Sequence, residues 1–198
     1  PFESGLAGYL LSRKFRLPFQ VQIHTDFFTP YFKNTFLNKV RYMIARFLVP
    51  RAHGIRVVSE NLKELLLKKF SYLKTVPSVL PIYVDIRALI DAPIVQDVRK
   101  EYSRFNFIIL MASRLTPEKE IDTALHALKE LVTEFPHMGL LICGEGSELP
   151  QLTKLVDSLG IRSNVVFLPW QENLVSLYKT ANVFLLTSRF EGYGMTLI

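Results

Sequence analysis

Cysteine is almost absent from this sequence. Cys143 is the only one among 198 residues, so the chain cannot form an internal disulfide. It lies in the apolar run MGLLICG, which favours a small buried thiol. Small secreted domains commonly depend on disulfides, whereas proteins of reducing compartments do without them. We therefore predict a cytoplasmic protein.

Long hydrophobic runs are also lacking. A membrane-spanning helix needs roughly 18 consecutive apolar residues, and no stretch of the sequence reaches that length. The opening residues, PFESGLAGYLL, have no basic leader ahead of their apolar positions, so they are not typical of a signal peptide. Both absences argue against an integral membrane protein or a secreted one.

Several catalytic motifs are missing. The sequence has no H-E-x-x-H, no cysteine cluster, no Walker loop and no G-x-S-x-G, and its four histidines are dispersed. Because no metal-ligand cluster emerges, we expect no metal. His24 differs from the other three because it follows the β-rich run VQI, and strand ends of open sheets face ligand clefts. A functional and a purely structural role for His24 both stay open.

The sequence does contain ample core material and an uneven distribution of charge. Hydrophobic residues make up 49% and charged residues 21%, which is typical of a globular protein. Residues 1–90 hold 14 Lys and Arg against 5 Asp and Glu, whereas residues 91–198 hold 10 against 13. The basic character of the chain therefore belongs to its first half.

The first half alternates helix-like and strand-like stretches. Residues 4–16 have helical spacing of apolar groups, and residues 18–26 form a short β-rich run. The segment PYFKNTFLNKVRYMIARFLVP, residues 30–50, predicts a basic amphipathic helix. Ser59 stands where its hydroxyl would cap the helix ENLKELLLKKF.

The second half repeats apolar strands and amphipathic helices in alternation, which predicts a parallel sheet covered on both faces. A mixed polar stretch separates the two halves and indicates a domain boundary. We predict an α/β protein with a first domain at 1–88, a linker at 89–104 and a second domain at 105–198. The loops that follow the strands of the second domain should share one edge of the sheet, where ligands of such sheets bind.

The first of these loops, ASRLTPEKE, carries Arg114 and Lys119. A helix amino terminus attracts anions, and Pro117 suggests that Lys119 lies in the first turn of a helix. A guanidinium and an ammonium at this place would form a phosphate clamp. The alternative is a pair of solvated charges that bind Glu118 or Glu120.

The other loops carry weaker patterns. Gly144 opens the loop GEGSE, whose glycines allow close approach to a ligand or simply a tight turn. Trp170 could cover a ring or pack within its loop. In the last stretch, RFEGYGMTLI, Gly192 and Gly194 flank Tyr193 and could expose backbone amides to an anion. Glu191 beside them could bind sugar hydroxyls, or only complement the dipole of a helix that starts near Met195.

Taken together, ASRLTPEKEIDTALHAL, LLICGEG, NVVFLPW and ANVFLLTSRFEGYGMTLI resemble the donor-binding domain of retaining GT-B glycosyltransferases of family four, the glycosyl transferases group 1 domain. The match covers essentially the whole second half in the family's order. The first half is similar to the later part of the family's acceptor domain, through IHTD, VVSENLKELL and LPIYVD. The resemblance implies two Rossmann-like domains with parallel sheets, both incomplete in this chain.

The resemblance also implies roles for individual residues. Arg114 and Lys119 would hold the donor diphosphate and stabilise the charge that grows on it, which is electrostatic catalysis. Glu191 would bind hydroxyls of the donor sugar, and His24 matches the acceptor-domain histidine that faces that sugar. The amides around Gly192, Tyr193 and Gly194 would lie against the sugar and phosphates, and Gly144 is assigned to donor binding. The nucleotide sugar is a substrate, and no cofactor or metal is expected.

The sequence departs from the family pattern at two places. Glu120 stands where members usually have glycine after the lysine, and a carboxylate there would weaken phosphate binding unless it points away. Ile82 and Tyr83 replace the usual Asn-Gly. The family's hallmark is a pair of glutamates with seven residues between them, and the partner of Glu191 would fall at position 199. We therefore expect an internal fragment of a longer enzyme.

Two alternative functions remain at this point. A GT-B sugar-nucleotide epimerase shares the fold but needs acid–base groups in the cleft. A membrane-surface module is suggested by residues 28–50, where five aromatic residues accompany basic ones: Phe28, Tyr31, Phe32, Phe36 and Tyr42. Ordinary core packing of these aromatics is the other explanation. The acceptor would be a glycan, a lipid or a small molecule, and a lipid-linked acceptor is compatible with peripheral contact at the cytoplasmic membrane face. No nucleic-acid recognition motif accompanies the basic half.

Overall fold

The computed structural model describes residues 2–30, 32, 35–191 and 193–197. It shows an α/β protein whose chain divides into two compact units. The first unit comprises Pro1–Tyr83 and Phe190–Gly194, and the second comprises Val84–Arg189 and Met195–Ile198. The expected α/β fold with parallel sheets is therefore confirmed. The finer domain limits at 1–88, 89–104 and 105–198 stay a prediction.

The first unit contains a three-stranded parallel sheet in the order β1-β2-β3. Gln20 pairs with Gly54 and Val57 with Val79, which fixes the register of the three strands. The helices and strands of this unit are α1 (Phe2–Phe15), β1 (Gln20–Ile23), α2 (Phe36–Leu48), β2 (Gly54–Val57), α3 (Glu60–Lys69) and β3 (Ser78–Val79).

The sequence patterns of the first unit account for most of these elements. The Ser59 hydroxyl accepts a hydrogen bond from the Leu62 amide at 3.3 Å, which confirms the expected cap of α3. Alternation along β1 buries Val21 and Ile23, and they join one hydrophobic core with the buried side of α3.

The long helix expected over residues 30–50 is shorter in the structure. Helix α2 begins at Phe36 because Thr35 has an extended backbone and its hydroxyl accepts a bond from the Asn38 amide at 3.2 Å. Upstream, the Asp26 carboxylate accepts from the Phe28 amide at 2.8 Å and stabilises a turn. Apolar periodicity continues through such polar caps, so it overestimates the length of a helix.

The structure also corrects the set of aromatic residues that the sequence suggested for membrane contact. Phe28, Phe32 and Tyr42 are half-buried and pack against the core of the first unit, and the rings of Phe28 and Tyr42 are 6.1 Å apart. Tyr31 lies outside the described residues. Only Phe36 of the five lies exposed among those described.

The second unit contains a four-stranded sheet in the order β6-β5-β4-β7, and all of its pairs are parallel. Its helices and strands are α4 (Ile86–Asp91), α5 (Val98–Glu101), β4 (Phe107–Ala112), α6 (Ile121–Glu134), β5 (Met138–Cys143), α7 (Leu149–Leu159), β6 (Val165–Leu168), α8 (Val175–Thr180) and β7 (Val183–Phe184).

The sheet of the second unit is covered on both faces, as its continuous apolar strands predict. Met111 and Ile142 point into the core formed with α6 and α7, whereas Leu110 and Leu141 point into a second core with α5 and α8. Short helices α4 and α5 occupy seven of the sixteen residues of the predicted linker. The Val95 and Val98 amides bind hydroxyls on α8, at 2.9 and 3.2 Å.

Candidate functional site

The candidate site in the second unit lies at the carboxyl edge of its sheet. Strands β4, β5, β6 and β7 are parallel, so the loops that follow Ala112, Cys143, Leu168 and Phe184 emerge at the same edge. This arrangement is where open α/β sheets bind ligands. The expected clustering of four loops at one edge is therefore present.

The loop after β4, which carries Arg114, is bound along its backbone to the loop after β5. The Ser113 amide donates to the Cys143 carbonyl at 3.1 Å, and the Leu115 amide donates to the Glu145 carbonyl at 2.8 Å. The Glu148 amide then donates to the Leu115 carbonyl at 3.0 Å. These bonds continue the sheet past the ends of its strands, so Arg114 projects from a fixed backbone.

Gly144 and Gly146 permit this close approach of the two loops. A Cβ at Gly144 would lie 1.9 Å from the Ser113 carbonyl oxygen, and one at Gly146 would lie 2.1 Å from the Leu115 carbonyl oxygen. Gly144 also has a φ of +144°, which side chains rarely adopt. The structure thus gives Gly144 a packing function, and its assignment to donor binding stays a prediction.

The loop after β7 is bound to the other side of the same β4 loop. The Thr187 hydroxyl donates to the Lys119 carbonyl at 2.8 Å, and the Arg189 amide donates to the Glu118 carbonyl at 3.2 Å. The Arg189 guanidinium also lies 3.7 Å from the Glu120 carboxylate. The segment that carries Lys119 is therefore held between two neighbouring loops.

Lys119 does not lie in the first turn of an α-helix, as the sequence suggested. Pro117–Lys119 form a separate 3₁₀ turn, and helix α6 begins at Ile121. Glu120 between them has φ 45° and ψ 46°, the left-handed conformation that glycine adopts at least cost. Glycine after the lysine, as in the family pattern, would adopt this conformation without strain, whereas Glu120 adopts it under strain.

The Arg114 side chain is 70% exposed, and its guanidinium lies 3.5 Å from the Glu118 carboxylate. The alternative of a surface ion pair is thus realised in this structure. Exposed pairs of this kind are worth about 0–1 kcal/mol, which a doubly charged phosphate group can easily exceed. The ion pair consequently does not prevent Arg114 from binding an anion.

Two hydroxyls in these loops escaped the sequence analysis. Thr116 Oγ1 and Ser188 Oγ are buried and have no hydrogen-bond partner within the part of the chain that the structure describes. An unsatisfied buried polar group costs about 1–3 kcal/mol. Both residues stand in the quoted loops, and their residue type was the only clue that the sequence offered.

Two side chains of the second unit, Cys143 and Tyr178, have raised pKa values. Burial raises the pKa of the Cys143 thiol, which donates to the Pro169 carbonyl at 3.3 Å. Burial likewise raises the pKa of Tyr178, whose hydroxyl donates to the Thr196 carbonyl at 3.2 Å. Both groups are therefore neutral at physiological pH and suited to packing. Trp170 is exposed in the loop after β6.

The remaining predicted residues belong to the first unit. His24 is exposed directly after β1, as expected for the end of a strand, and Glu191 is also exposed. Tyr193 packs against the core of the first unit, and Gly194 is buried with φ 71°. Gly192 lies outside the described residues. The structure thus groups Arg114, Lys119 and Gly144 in one unit and this second set in the other.

Beyond Glu191, the chain forms a 3₁₀ turn at Met195–Leu197 where the sequence suggested the start of a helix. Across residues 2–30, 32, 35–191 and 193–197, no three or more His, Cys, Asp or Glu side chains are grouped in a way that could hold a metal ion. None of the described helices has both the length and the apolar character needed to cross a bilayer.

The loops just described lie within a segment of the sequence that matches a known protein family. Residues 97–198, more than half of the chain, match the model of the glycosyl transferases group 1 family. The chain therefore belongs to this family, as the resemblance of its motifs predicted. Its structure is similar to the crystal structure of HepE from Anabaena in complex with UDP and glucose, with a TM-score of 0.81 and 20% identity. The alignment covers 99% of this chain and 53% of that chain, and it shows the GT-B fold.

Two curated relatives illustrate the sequence similarity. One is the UDP-N-acetylglucosamine–peptide N-acetylglucosaminyltransferase GtfA subunit of Streptococcus agalactiae, to which the chain is 37% identical over 101 residues. That alignment covers 50% of this chain and 20% of that protein. The chain is also 25% identical over 212 residues to the alpha-monoglucosyldiacylglycerol synthase of Acholeplasma laidlawii, over 100% of this chain and 53% of that protein. The chain thus spans about half or less of the length of these relatives.

Proposed function

We propose that the protein transfers a sugar from a nucleotide sugar to an acceptor with retention of the anomeric configuration. The observation that carries this proposal is the loop after β4, which is hydrogen-bonded to the loops after β5 and β7. This loop places Arg114 and Lys119 at the carboxyl edge of the second sheet. Membership of the glycosyl transferases group 1 family supports the same reaction. Retention is supported by the motif resemblance to retaining enzymes.

The donor that the comparisons support best is a uridine diphosphate sugar. HepE was crystallised with UDP-glucose, and the Streptococcus agalactiae relative is named for a UDP-N-acetylglucosamine donor. The diphosphate of such a donor carries the negative charge that Arg114 and Lys119 would bind.

In the proposed mechanism, negative charge develops on the diphosphate as the glycosidic bond breaks. The Arg114 guanidinium would exchange Glu118 for phosphate oxygens and bind them through two parallel hydrogen bonds. Lys119, at the end of the turn Pro117–Lys119, would add a point charge. Because hydrogen bonds to both neighbouring loops hold the backbone in advance, little reorganisation is needed when the charge appears.

Other residues complete the proposal through the family resemblance. His24 would face the donor sugar, and Glu191 would bind its hydroxyls. Backbone amides would contact the sugar and phosphates, and the residues assigned to them are Gly144, Gly192, Tyr193 and Gly194. The proposed reaction uses no metal and no bound cofactor, since the nucleotide sugar is itself the substrate.

For the acceptor, we propose a glycan or a lipid-linked molecule at the cytoplasmic membrane face. The Acholeplasma laidlawii relative is named as a synthase of a glucosylated diacylglycerol, which supports a lipid acceptor. The location is part of the same proposal.

Binding to a panel of nucleotide sugars tests the donor assignment. Thermal shift titration should show stabilisation by UDP-glucose or UDP-N-acetylglucosamine and a weaker effect of GDP- or ADP-sugars. The Arg114→Ala and Lys119→Ala variants should each bind about 10- to 100-fold more weakly, because each loses a charge-assisted hydrogen bond. The anomeric configuration of the product, read by NMR, tests retention.

Arg162→Ala is a matched control for Arg114→Ala. Arg162 is 61% exposed and lies 3.9 Å from Asp157, but it precedes β6 and so stands at the amino edge of the sheet. Its replacement should leave nucleotide-sugar affinity unchanged. If Arg114→Ala and Lys119→Ala bound UDP-sugars as tightly as the parent, the clamp would be wrong, and an inverted product would exclude retention.

A further inference from the structure

Helix α2 in the first unit has a second apolar face, which is exposed within the part of the chain that the structure describes. Phe36, Val40, Met43 and Phe47 follow one another at intervals of four, three and four residues, within about 60° of arc on an α-helix. All four are exposed, Phe36 at 83% and Met43 at 68%. We name these four residues the α2 stripe.

The α2 stripe is not the face by which the helix joins its own core. Ala45 and Leu48, on the opposite side, are fully buried in the core of the first unit. A surface helix of a globular protein normally has one apolar stripe and one polar face. Helix α2 therefore has an apolar face to spare, and contiguous exposed apolar surface commonly marks a contact site.

Helix α1 adds apolar surface next to this helix. The Tyr9 ring lies 5.4 Å from the Phe47 ring, edge to face, and Glu3 binds Arg41 at 2.6 Å, so the two helices are neighbours. Leu10 and Leu11, which follow Tyr9 on α1, are more than half exposed. Phe15 at the end of the helix is equally exposed.

Cations accompany these apolar side chains. Lys39 and Arg46 are exposed and stand beside the α2 stripe on the helix. The Arg51 guanidinium lies 3.9 Å above the Phe47 ring. Around the end of α1 the chain adds three exposed basic residues, namely Arg13, Lys14 and Arg16. In the sequence, residues 1–51 contain eight Lys and Arg against two Asp and Glu.

We propose that the α2 stripe and the basic residues beside it bind the protein to an anionic membrane surface. A helix that combines an exposed apolar face with flanking cations lies in the interface of a bilayer, its apolar side among the acyl chains and its cations at the headgroups. The excess of positive charge beside the α2 stripe complements the negative headgroups of an anionic lipid surface.

The inference concerns the first unit and does not depend on the donor assignment. It changes the surface suggested by the sequence, because Phe28, Phe32 and Tyr42 pack inside whereas Met43 and Phe47 face outward. Binding to lipid and binding to a nucleotide sugar can therefore fail separately.

Vesicle co-sedimentation tests the proposal on the whole chain. The protein should bind phosphatidylcholine vesicles that contain phosphatidylglycerol, bind pure phosphatidylcholine weakly, and be released by high salt. Phe36→Gln combined with Met43→Gln should reduce binding at least about tenfold. Lys39→Gln combined with Arg46→Gln should also reduce it at least about tenfold, and this loss should be confined to anionic vesicles.

Matched controls exist in the second unit. Ile90→Gln combined with Val95→Gln also replaces two exposed apolar side chains, and Lys100→Gln combined with Lys154→Gln also removes two exposed cations. Both controls should bind anionic vesicles as the parent does. Nucleotide-sugar affinity, measured without vesicles, should be the same for all four double variants, which separates this test from that of the donor clamp.

Three results would overturn the proposal. The parent could fail to bind anionic vesicles, or the Phe36→Gln, Met43→Gln variant could bind them unchanged. The third result is a dimer of the parent in sedimentation velocity without vesicles, together with a monomer of the Phe36→Gln, Met43→Gln variant. The α2 stripe would then bind a second copy of the chain.

Discussion

Gly54 in the first unit differs from Gly139 and Gly146 in the second in the space around its Cα atom. In the first unit, a Cβ added at Gly54 on β2 would meet no atom closer than Gln20 Cγ, at 3.5 Å. In the second unit, a Cβ at Gly139 would lie 2.2 Å from the Phe105 ring, and one at Gly146 would lie 2.1 Å from the Leu115 carbonyl oxygen. Gly139 and Gly146 thus leave no room for a Cβ, whereas Gly54 leaves ordinary contact distance.

This difference corresponds to what each unit presents. In the second unit, backbone hydrogen bonds tie the β4 loop to both of its neighbours and fix the main chain beneath Arg114 and Lys119. The first unit presents the α2 stripe, which consists of exposed side chains on one helix. Its proposed contact with lipid would be made by these side chains and not by a fixed loop backbone. Binding a small anion needs groups placed to within fractions of an ångström, whereas contact with a fluid surface does not.

Among the substitutions that test this comparison, Gly146→Ala should lower the free energy of unfolding the most. Its Cβ would clash with main-chain atoms of Leu115, so the β4 and β5 loops would have to separate. We expect the free energy of unfolding of the second unit to fall by about 2–3 kcal/mol. Trp170, the only tryptophan of the chain, lies in this unit, and its fluorescence during urea unfolding measures the loss.

The matched substitution in the first unit is Gly54→Ala. A Cβ fits there at ordinary contact distance, and alanine suits a strand better than glycine, so stability should change by less than about 1 kcal/mol. Far-ultraviolet circular dichroism follows this variant, because the first unit contains no tryptophan. Equal losses for the two variants would show that the units do not differ in backbone packing.

Glu120→Gly should have a smaller effect of the opposite sign. Glycine adopts the left-handed conformation of this position without strain, and relief of that strain should raise the free energy of unfolding by about 1 kcal/mol. The exposed pair with Arg189 is lost, which offsets part of the gain. Thermal unfolding monitored by Trp170 fluorescence measures the net result.

Glu120→Ala separates backbone strain from the carboxylate. Alanine also removes the pair with Arg189 but keeps a Cβ in the left-handed conformation, so this variant should be no more stable than the parent. If alanine and glycine stabilised equally, the effect would come from removal of the carboxylate and the strain argument would fail.

The smallest effect concerns Glu3 in the first unit and depends on pH. A hydrogen bond from Arg41 lowers the pKa of Glu3 from 4.5 to about 2. Because the folded pKa is the lower one, the bond stabilises the protein fully above the unfolded pKa, and its contribution disappears as the pH falls toward the folded value. Glu3→Gln should therefore melt slightly below the parent at neutral pH, and the difference should shrink on acidification.

Thermal melts from about pH 7 to about pH 2 measure this trend. Arg41→Gln breaks the same pair and should show the same dependence on pH, with an additional constant loss from its bond to Asn38 Oδ1 at 3.0 Å, and the double variant should lose no more stability than Arg41→Gln alone. Added salt should narrow all of these differences, because the pair is exposed. A difference that is independent of pH would exclude the ion pair as its cause.

The sequence predicted the features that depend on local pattern. Apolar runs alternating with amphipathic segments indicated the parallel sheet of the second unit, and Ser59 indicated the start of α3. From strand direction alone, the loops of Arg114 and Gly144 could be placed at one edge. These predictions succeed because periodicity and capping act within a few residues of one another.

Features that depend on contacts between distant segments could not be predicted. The role of Gly146 requires Leu115, about thirty residues away, to pass directly over it. The left-handed Glu120 follows from the 3₁₀ turn before it and from bonds to the β7 loop. Helix α2 has apolar residues on two faces, and periodicity does not tell which of them meets the core.

The contacts at Gly144 and Gly146 have an evolutionary consequence. The path of the β4 loop is set by carbonyl and amide groups, which every amino acid provides, together with two positions that must remain glycine. Side chains such as Thr116 can then be exchanged without altering the frame that carries them. A chain built in this way can change its ligand preference by single substitutions, provided that mutation spares the two glycines.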